Sequence, residues 1–421
     1  MDDILFNYKI VLFFLLTLFY ESFYSLMFQR ILLFLSICHI FTMNVHERIW
    51  KTLSHEEPDR VPTFVQSIEP GFITQYDAEI EIKGEPLMQG IELQVGKELG
   101  LDSKWLHGSG YHADPKNQPE LSFELQQKFR GMHIGSDGHV SESRIQDAAT
   151  SGGAHWYKDG ALKTPEMIRA WLSYMKTFTY PDTRYFKEVA RIWNDSIQKD
   201  FLPIPTTLGP EYTAWAGIGL DRFAYMMRKY PTEVEDLFKG WAKVTIETQT
   251  RLFEAGIDLV FFCDDHCYKD RCMMSMPQFE RFAVPAMKLM ADNAHKHGAK
   301  ILMHSDGYIT EELPLVIQAG IDAAEPFEYE ANNRLGEVKA KYGDKISLIG
   351  NVAASDVLSY GTVEETIKLT KKVLFDAADG GGFILAPGSD VLTTVKPRNL
   401  LAMIETTKKF GQYPINKSKL L

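Results

Sequence analysis

The chain has 421 residues, 45% of them hydrophobic and 24% charged, with a formal net charge of -11. That leaves room for one large domain or two small ones whose core closes without disulfides or metal staples, and the acidic balance excludes a broad electrostatic grip on nucleic acid. Four cysteines, Cys38, Cys263, Cys267 and Cys272, form no framework of spaced pairs, which fits a reducing, cytoplasmic setting rather than a secreted disulfide scaffold.

Residues 1–42 differ in kind. Residues 10–28 and 31–41 are apolar runs separated by Gln29 and Arg30. About 20 apolar residues span a bilayer, so one reading is a membrane anchor, and a membrane is a partner only if this leader is translated. A signal peptide fits worse, because Asp2 and Asp3 oppose a positive n-region and no small-residue cleavage site follows. The segment is almost all Phe, Leu, Ile, Tyr and Ser, as translated AT-rich upstream DNA would be, and Met43 opens an ordinary soluble sequence. The expectation is a start codon placed too early, and fold reasoning begins at Met43.

From Met43 the pattern predicts an amphipathic helix through Val45, Ile49 and Leu53, ended at Glu57-Pro58-Asp59 because a residue before proline is pushed out of the helical region. Residues 61–65 predict the first strand. Residues 70–120 mix short helical pieces with Gly and Pro and define no clear element. Residues 130–161 alternate polar and apolar around glycines, which predicts a β-hairpin insertion in the N-terminal third. Thr164-Pro165-Glu166 opens a helix, with Thr164 as cap and Pro165 at the first helical position.

From about residue 186 a rhythm sets in. A helix at 186–199 precedes a strand at 201–207. Helices follow at 219–229 and 232–255, the second capped by Thr232 with Glu235 three residues on. A strand at 257–262 runs into Cys263-Asp264-Asp265. A helix at 277–296 leads to strand 300–303 and His304, and one at 311–319 to strand 321–324 and Glu325. A helix at 335–342 leads to strand 346–349 and Asn351, and one at 363–378 to strand 383–385 and Ser389-Asp390. Residues 397–410 form the closing helix.

Strands alternating with helices imply parallel βαβ units, and continuous apolar strands are expected where both sheet faces are covered. A unit spacing of about 25 to 40 residues favours an α/β fold of the (β/α)8 TIM-barrel type over residues 43–413, with 414–421 as a tail. A doubly wound sheet is the alternative; no Gly-rich dinucleotide fingerprint follows any strand to support it.

Barrel sites lie at the carboxyl ends of the strands. Here those ends carry Asp264 and Asp265, His304 and Asp306, Glu325 and Glu328, Asn351, and Ser389 and Asp390. Singly each has a bland reading: His304 as a core histidine, Asp306-Gly307 as a turn, Asn351 and Asp390 as local caps. Five successive strands ending in polar groups instead point to one shared mouth. On a strand, Cys263 and Asp265 face one way and Asp264 the other. The cysteine spacing of residues 263–272 matches no structural zinc pattern well. Gly380-Gly381-Gly382 precedes its strand, so it belongs on the opposite, stability face as a tight turn rather than a phosphate cradle. His295 and His297 close a helix, where a charged imidazole favours the dipole.

The stretches ERIWKTLSHEEPDRVP (47–62), MPQFERFAVPAMKLMADNAHKHGAKILMHSDG (276–307), LIGNVAASDVLSYGTVEETIKLTKKVL (348–374), GGFILAPGSD (381–390) and PRNLLAMI (397–404) resemble the uroporphyrinogen decarboxylase superfamily. The resemblance covers most of residues 43–413, least at 70–160, and implies a (β/α)8 barrel. Its decarboxylases hold substrate carboxylates with a basic N-terminal motif. The corresponding stretch here, TFVQSIEPGF after Val61-Pro62, contains no arginine, so a many-carboxylate tetrapyrrole lacks its clamp.

The cobamide-dependent methyltransferase branch binds zinc through His-x-Cys after the middle strand and a Cys after the last. The zinc lowers the pKa of a thiol acceptor or polarises a methyl donor. This chain matches with His304 but carries Asp306 and Ser389 in place of the two cysteines. A harder zinc site of His304, Asp306 and Asp265 is chemically open; without metal, His304 with Asp306 or Glu325 does acid–base work. The resemblance therefore implies an enzyme moving a methyl group between a small methylated substrate and a corrinoid carried by a partner protein. His304, Asp306 and Asp265 would be its catalytic or metal-binding groups, and Glu325, Asn351, Ser389 and Asp390 would contact substrate. The alternatives are a decarboxylase of uroporphyrinogen or a related acid, and a catalytically inert relative that binds a ligand through the same mouth.

Overall fold

The structure, a computed structural model, describes residues 43–76, 85–108, 110–143, 155–180, 183–198 and 200–421, so the apolar leader lies outside the described residues. Among them, no helix is long and apolar enough to cross a membrane.

The strands are β1 (Phe64–Val65), β2 (Ser103–Leu106), β3 (His133–Ile134), β4 (His139–Ser143), β5 (His155–Gly160), β6 (Leu202–Leu208), β7 (Leu259–Cys263), β8 (Lys300–His304), β9 (Ala323–Glu325), β10 (Ser347–Val352) and β11 (Phe383–Pro387). Eight of them form one parallel sheet in the order β1-β2-β6-β7-β8-β9-β10-β11. The ring closes where the Leu385 N–H donates to the Pro62 carbonyl at 2.9 Å and Thr63 bridges Leu385 in parallel. This is the (β/α)8 barrel expected from the alternation. Its strands are buried nearly throughout, since helices cover one face and packed side chains fill the other. Phe64 stacks on Phe261 inside, with ring centroids 5.3 Å apart, and Trp105 meets Phe261 edge-on.

Local signals act where the sequence places them. Thr164 Oγ1 accepts from the Met167 N–H to start the helix Pro165–Met175. Ser275 and Gln278 form a capping box before Met276–Lys296. One cap differs: the helix read from Thr232 begins at Pro231, because proline has no N–H to satisfy and suits the first helical position. A further helix, Pro210–Ile218, follows β6 and is buried on nearly all sides. It carries no polar stripe, so hydrophobic periodicity does not reveal it.

Where the alternation of residues 130–161 predicts a β-hairpin, three antiparallel strands form, in the order β3-β4-β5. This small sheet lies against the Pro210–Ile218 helix; the Leu162 N–H donates to the Gly217 carbonyl at 2.8 Å.

The three glycines before β11 all adopt left-handed backbone, at φ 77°, 74° and 63°. A Cβ on Gly381 would stand 2.4 Å from the Glu56 carbonyl oxygen. The turn therefore packs against the loop after the first helix, on the face opposite the strand ends. Gly381→Ala is expected to cost at least about 1–2 kcal/mol from the left-handed backbone alone, read as a lowered urea midpoint at unchanged m-value. An unshifted midpoint would contradict the packing role.

Candidate active site

Strands β7, β8 and β9 are in register so that Cys263 lies level with His304, and His304 with Glu325. Three strand ends therefore deliver side chains to one plane at the barrel mouth. Asp265 and Asp306 each sit two residues beyond a level pair, where strand alternation returns the side chain to the same face. The alternation holds: Asp264 points the other way, and its Oδ1 accepts from the Tyr212 N–H at 2.6 Å.

His304 is 7% exposed. Its Nδ1 donates to Glu325 Oε2 at 2.8 Å, and the other oxygen of the fully buried Glu325 accepts from Gln66 Nε2 at 2.8 Å. Gln66 follows β1, so this chain of contacts crosses the barrel. Trp105 packs edge-on against the imidazole at 4.7 Å. The ring is thereby fixed with Nε2 facing Asp265 Oδ1 at 3.6 Å and Asp306 Oδ1 at 3.9 Å. The Asp306 N–H donates to Asp265 Oδ1 at 3.4 Å. One ligand atom from each of Asp265, His304 and Asp306 lies within 4.8 Å of the others, and Asp306 Oδ1 is buried with no hydrogen-bond partner.

Electrostatics follow from this packing. Burial alone would lower the His304 pKa, but Glu325, Asp265 and Asp306 outweigh it and hold the imidazole well above its ordinary value. Burial pushes Asp306 up to about 7; His304 opposes the shift, while Asp265, Glu328 and Glu325 add to it. Burial would also raise Asp265, yet its hydrogen bond and charge attraction to His304 keep it below the carboxylate norm. A cation is the natural partner for such a set of crowded carboxylates.

The other expected residues divide. Asp390 Oδ1 accepts from Ser67 Oγ at 2.6 Å and from the Ser67 N–H at 3.1 Å, joining the loops after β11 and β1, with Ser389 half-buried beside it. Asn351 is buried, donates to the Asn333 carbonyl at 3.2 Å and lines a groove with Leu369 and Val373 of an outer helix. It is not among the groups contacting His304. Glu325 contacts His304 directly, so its place is behind the histidine. Gln66 and Trp105 are participants that strand-end reading passes over. Gln66 lies in the very stretch where an arginine is absent, and Trp105 lies in the unassigned region before residue 120.

The closed parallel barrel defines a (β/α)8-barrel protein, and the candidate cluster of a histidine and two carboxylates lies at the carboxyl ends of adjacent strands, where that fold carries its sites. The sequence profile of the uroporphyrinogen decarboxylase (URO-D) family matches residues 161–410, and the chain belongs to that family. Among solved structures, a methyltransferase from Methanosarcina mazei superposes with a TM-score of 0.60 at 17% identity, covering 88% of this chain and 99% of that one. A B12-independent methionine synthase from Shewanella sp. W3-18-1 gives a TM-score of 0.40 at 11% identity, covering 83% and 97%. At 17% identity the likeness to the Methanosarcina structure is one of fold. No curated protein matches the chain.

Proposed function

We propose that this chain is a methyltransferase that moves a methyl group between a small methylated substrate and a corrinoid carried by a partner protein, using zinc held by Asp265, His304 and Asp306. The observation that carries the reading is the convergence of His304 Nε2 with the two aspartates, one of whose buried oxygens has no partner. Zinc accepts such a His and carboxylate set. A histidine whose other nitrogen donates to a carboxylate is the usual arrangement behind a metal ligand, and Glu325 occupies that position. Bound zinc supplies Lewis acidity, which lowers the pKa of an acceptor thiol or polarises the methyl-bearing atom.

The chain's own residues do the rest. Glu325 and Gln66 hold the imidazole tautomer, and Trp105 shields one side of the ring from water. Asp390 and Ser389, at the β1–β11 side of the mouth, contact the substrate. The name of the Methanosarcina neighbour agrees with this reaction class. The absence of arginine from TFVQSIEPGF, where Gln66 serves His304 instead, weighs against a tetrapyrrole decarboxylase.

The test is methyl transfer to cob(I)alamin, followed by its visible spectrum, from a panel of methanol, methylamines, methyl thioethers and methoxyarenes. Methylcobalamin formation from one donor, lost in His304→Ala, is expected. Turnover of uroporphyrinogen with CO2 release, and none of any methyl donor, would overturn the proposal.

A further inference from the structure

A second cluster of metal-ligating side chains lies beneath the loop after β7 and takes no part in the contacts of His304. Cys267 and Cys272 face each other across a tight hairpin. The Tyr268 N–H donates to the Arg271 carbonyl at 2.7 Å, and the Met273 N–H to the His266 carbonyl at 2.6 Å. The cysteines are therefore a non-hydrogen-bonded cross-strand pair, the position at which side chains approach closest. Their sulfurs are 2.9 Å apart and lie 3.3 and 3.2 Å from Glu312 Oε2. The other Glu312 oxygen is 3.8 Å from His266 Nε2, and His266 Nδ1 donates to Glu211 Oε2 at 2.8 Å. His266, Glu211 and Glu312 are wholly buried, and each cysteine is 7% exposed. Two buried atoms that face each other, His266 Nε2 and Glu312 Oε1, have no hydrogen-bond partner.

We infer that Cys267, Cys272, Glu312 and His266 form a closed, structural zinc site, distinct from the cluster at the barrel mouth. Zinc takes thiolate, imidazole and carboxylate donors in tetrahedral sites. One such ion gives partners to both orphaned atoms and removes the need to bury an unpaired carboxylate. His266, held through Nδ1 by Glu211, already has the orientation of a metal-binding histidine with a carboxylate behind it. With Zn–S bonds of about 2.3 Å, the sulfurs part to about 3.8 Å in a tetrahedral site, a small rotation of each side chain. A disulfide is the competing occupant, since cross-strand cysteines meet its geometry. Both occupants remove the two S–H donors to Glu312 Oε2, but the disulfide leaves His266 Nε2 and Glu312 Oε1 as they are. The ion engages His266 Nε2 and Glu312 directly, whereas the disulfide engages only the two sulfurs.

The site also bears on the mouth. His266 follows Asp265 directly, and its N–H donates to Ser305 Oγ at 3.0 Å. The Tyr308 N–H donates to the Tyr268 carbonyl at 2.8 Å, and a Cβ on Gly307 would stand 2.8 Å from the Cys267 carbonyl oxygen. The hairpin thus packs on the loop that carries Asp306, and a bound ion braces the two loops that present Asp265 and Asp306.

The test uses the purified full chain from zinc-supplemented cells and its cobalt(II)-exchanged form, with Cys267→Ser/Cys272→Ser, Glu312→Gln and His304→Ala beside wild type. In His304→Ala, which lacks the mouth ion, one equivalent of zinc with two sulfur neighbours in X-ray absorption and a cobalt–thiolate charge-transfer band are expected, and wild type should show the same band and one further equivalent of zinc without sulfur neighbours if the mouth is loaded. The sulfur neighbours and the band should disappear from the double serine variant, and Glu312→Gln should hold zinc at least tenfold more weakly. Should the serine variant fail to fold, the wild-type cobalt spectrum decides. Absence of the charge-transfer band at one equivalent of cobalt, or a Cys267–Cys272 disulfide in protein isolated under thiol-blocking conditions, would overturn the inference. A mouth site that binds no metal leaves all of these readings unchanged.

Discussion

His304→Ala is expected to abolish zinc at the barrel mouth and to lower kcat/KM for methyl transfer by about a thousandfold, the worth of about 4 kcal/mol of Lewis-acid stabilisation. The size follows from the geometry. His304 supplies the one nitrogen donor of the cluster, and Asp265 and Asp306 alone are two carboxylates that repel each other. Glu325→Gln should fall between this variant and wild type. It keeps a carbonyl to accept from Nδ1 but loses the charge that holds the imidazole, and changes behind a metal ligand typically cost about 10- to 100-fold in affinity or activity. Zinc content by mass spectrometry and kcat/KM are the two measurements, and they should decline in the same order. Near-wild-type turnover by His304→Ala would remove the histidine from the chemistry.

The strand ends were legible because barrel strands are buried on both faces and read as unbroken apolar runs that stop at the mouth. His304, Asp306 and Asp265 follow from that and from alternation along the strand; their common level comes from the register of β7, β8 and β9, which sequence does not print. Strand β2 escaped because its apolar run is interrupted by Lys104, a charge held in the core by its 2.9 Å pairing with Glu92 and a 2.7 Å hydrogen bond to the Trp105 carbonyl. Gln66 escaped because a neutral amide has no motif; its role appears only through Glu325, 259 residues away. The second cluster escaped for a related reason. Its cysteines lie in the window 263–272, whose spacing matches no zinc pattern, while Glu312 is 40 residues beyond Cys272 and Glu211 is 55 before His266, so no local spacing could join them. Asn351 shows a limit of strand-end reading: it donates to the Asn333 carbonyl and lines a groove with Leu369 and Val373, a placement set by parity at its strand.

Arg48 and Arg60 of the opening motif ERIWKTLSHEEPDRVP bind Asp102, and Asp102→Ala should show what they are for. Asp102 is 1% exposed and accepts from Arg48 Nη1 at 2.8 Å, from Arg60 Nη1 and Nη2 at 2.7 Å each, and from the Thr63 N–H and hydroxyl at 2.8 and 2.9 Å. Arg48 is itself 3% exposed and also grips Asp59 with two hydrogen bonds. These groups precede β1 and β2, at the stability end of the barrel. Removing the carboxylate leaves a buried guanidinium short of its partner, which costs about 3–5 kcal/mol. Burial would raise the Asp102 pKa, but Arg60, Arg48 and the Thr63 N–H outweigh it, so the folded value lies below the unfolded one. Between those two values the unfolded chain binds the extra proton. The stabilisation is therefore complete above the unfolded carboxylate value of about 3.9 and is lost as pH falls toward the folded value. Urea midpoints of Asp102→Ala should lie well below wild type at every pH from neutral to about 5, and the gap should narrow only under stronger acid. A gap that narrows near neutrality, or none at all, would mean that the two arginines find other partners in the variant.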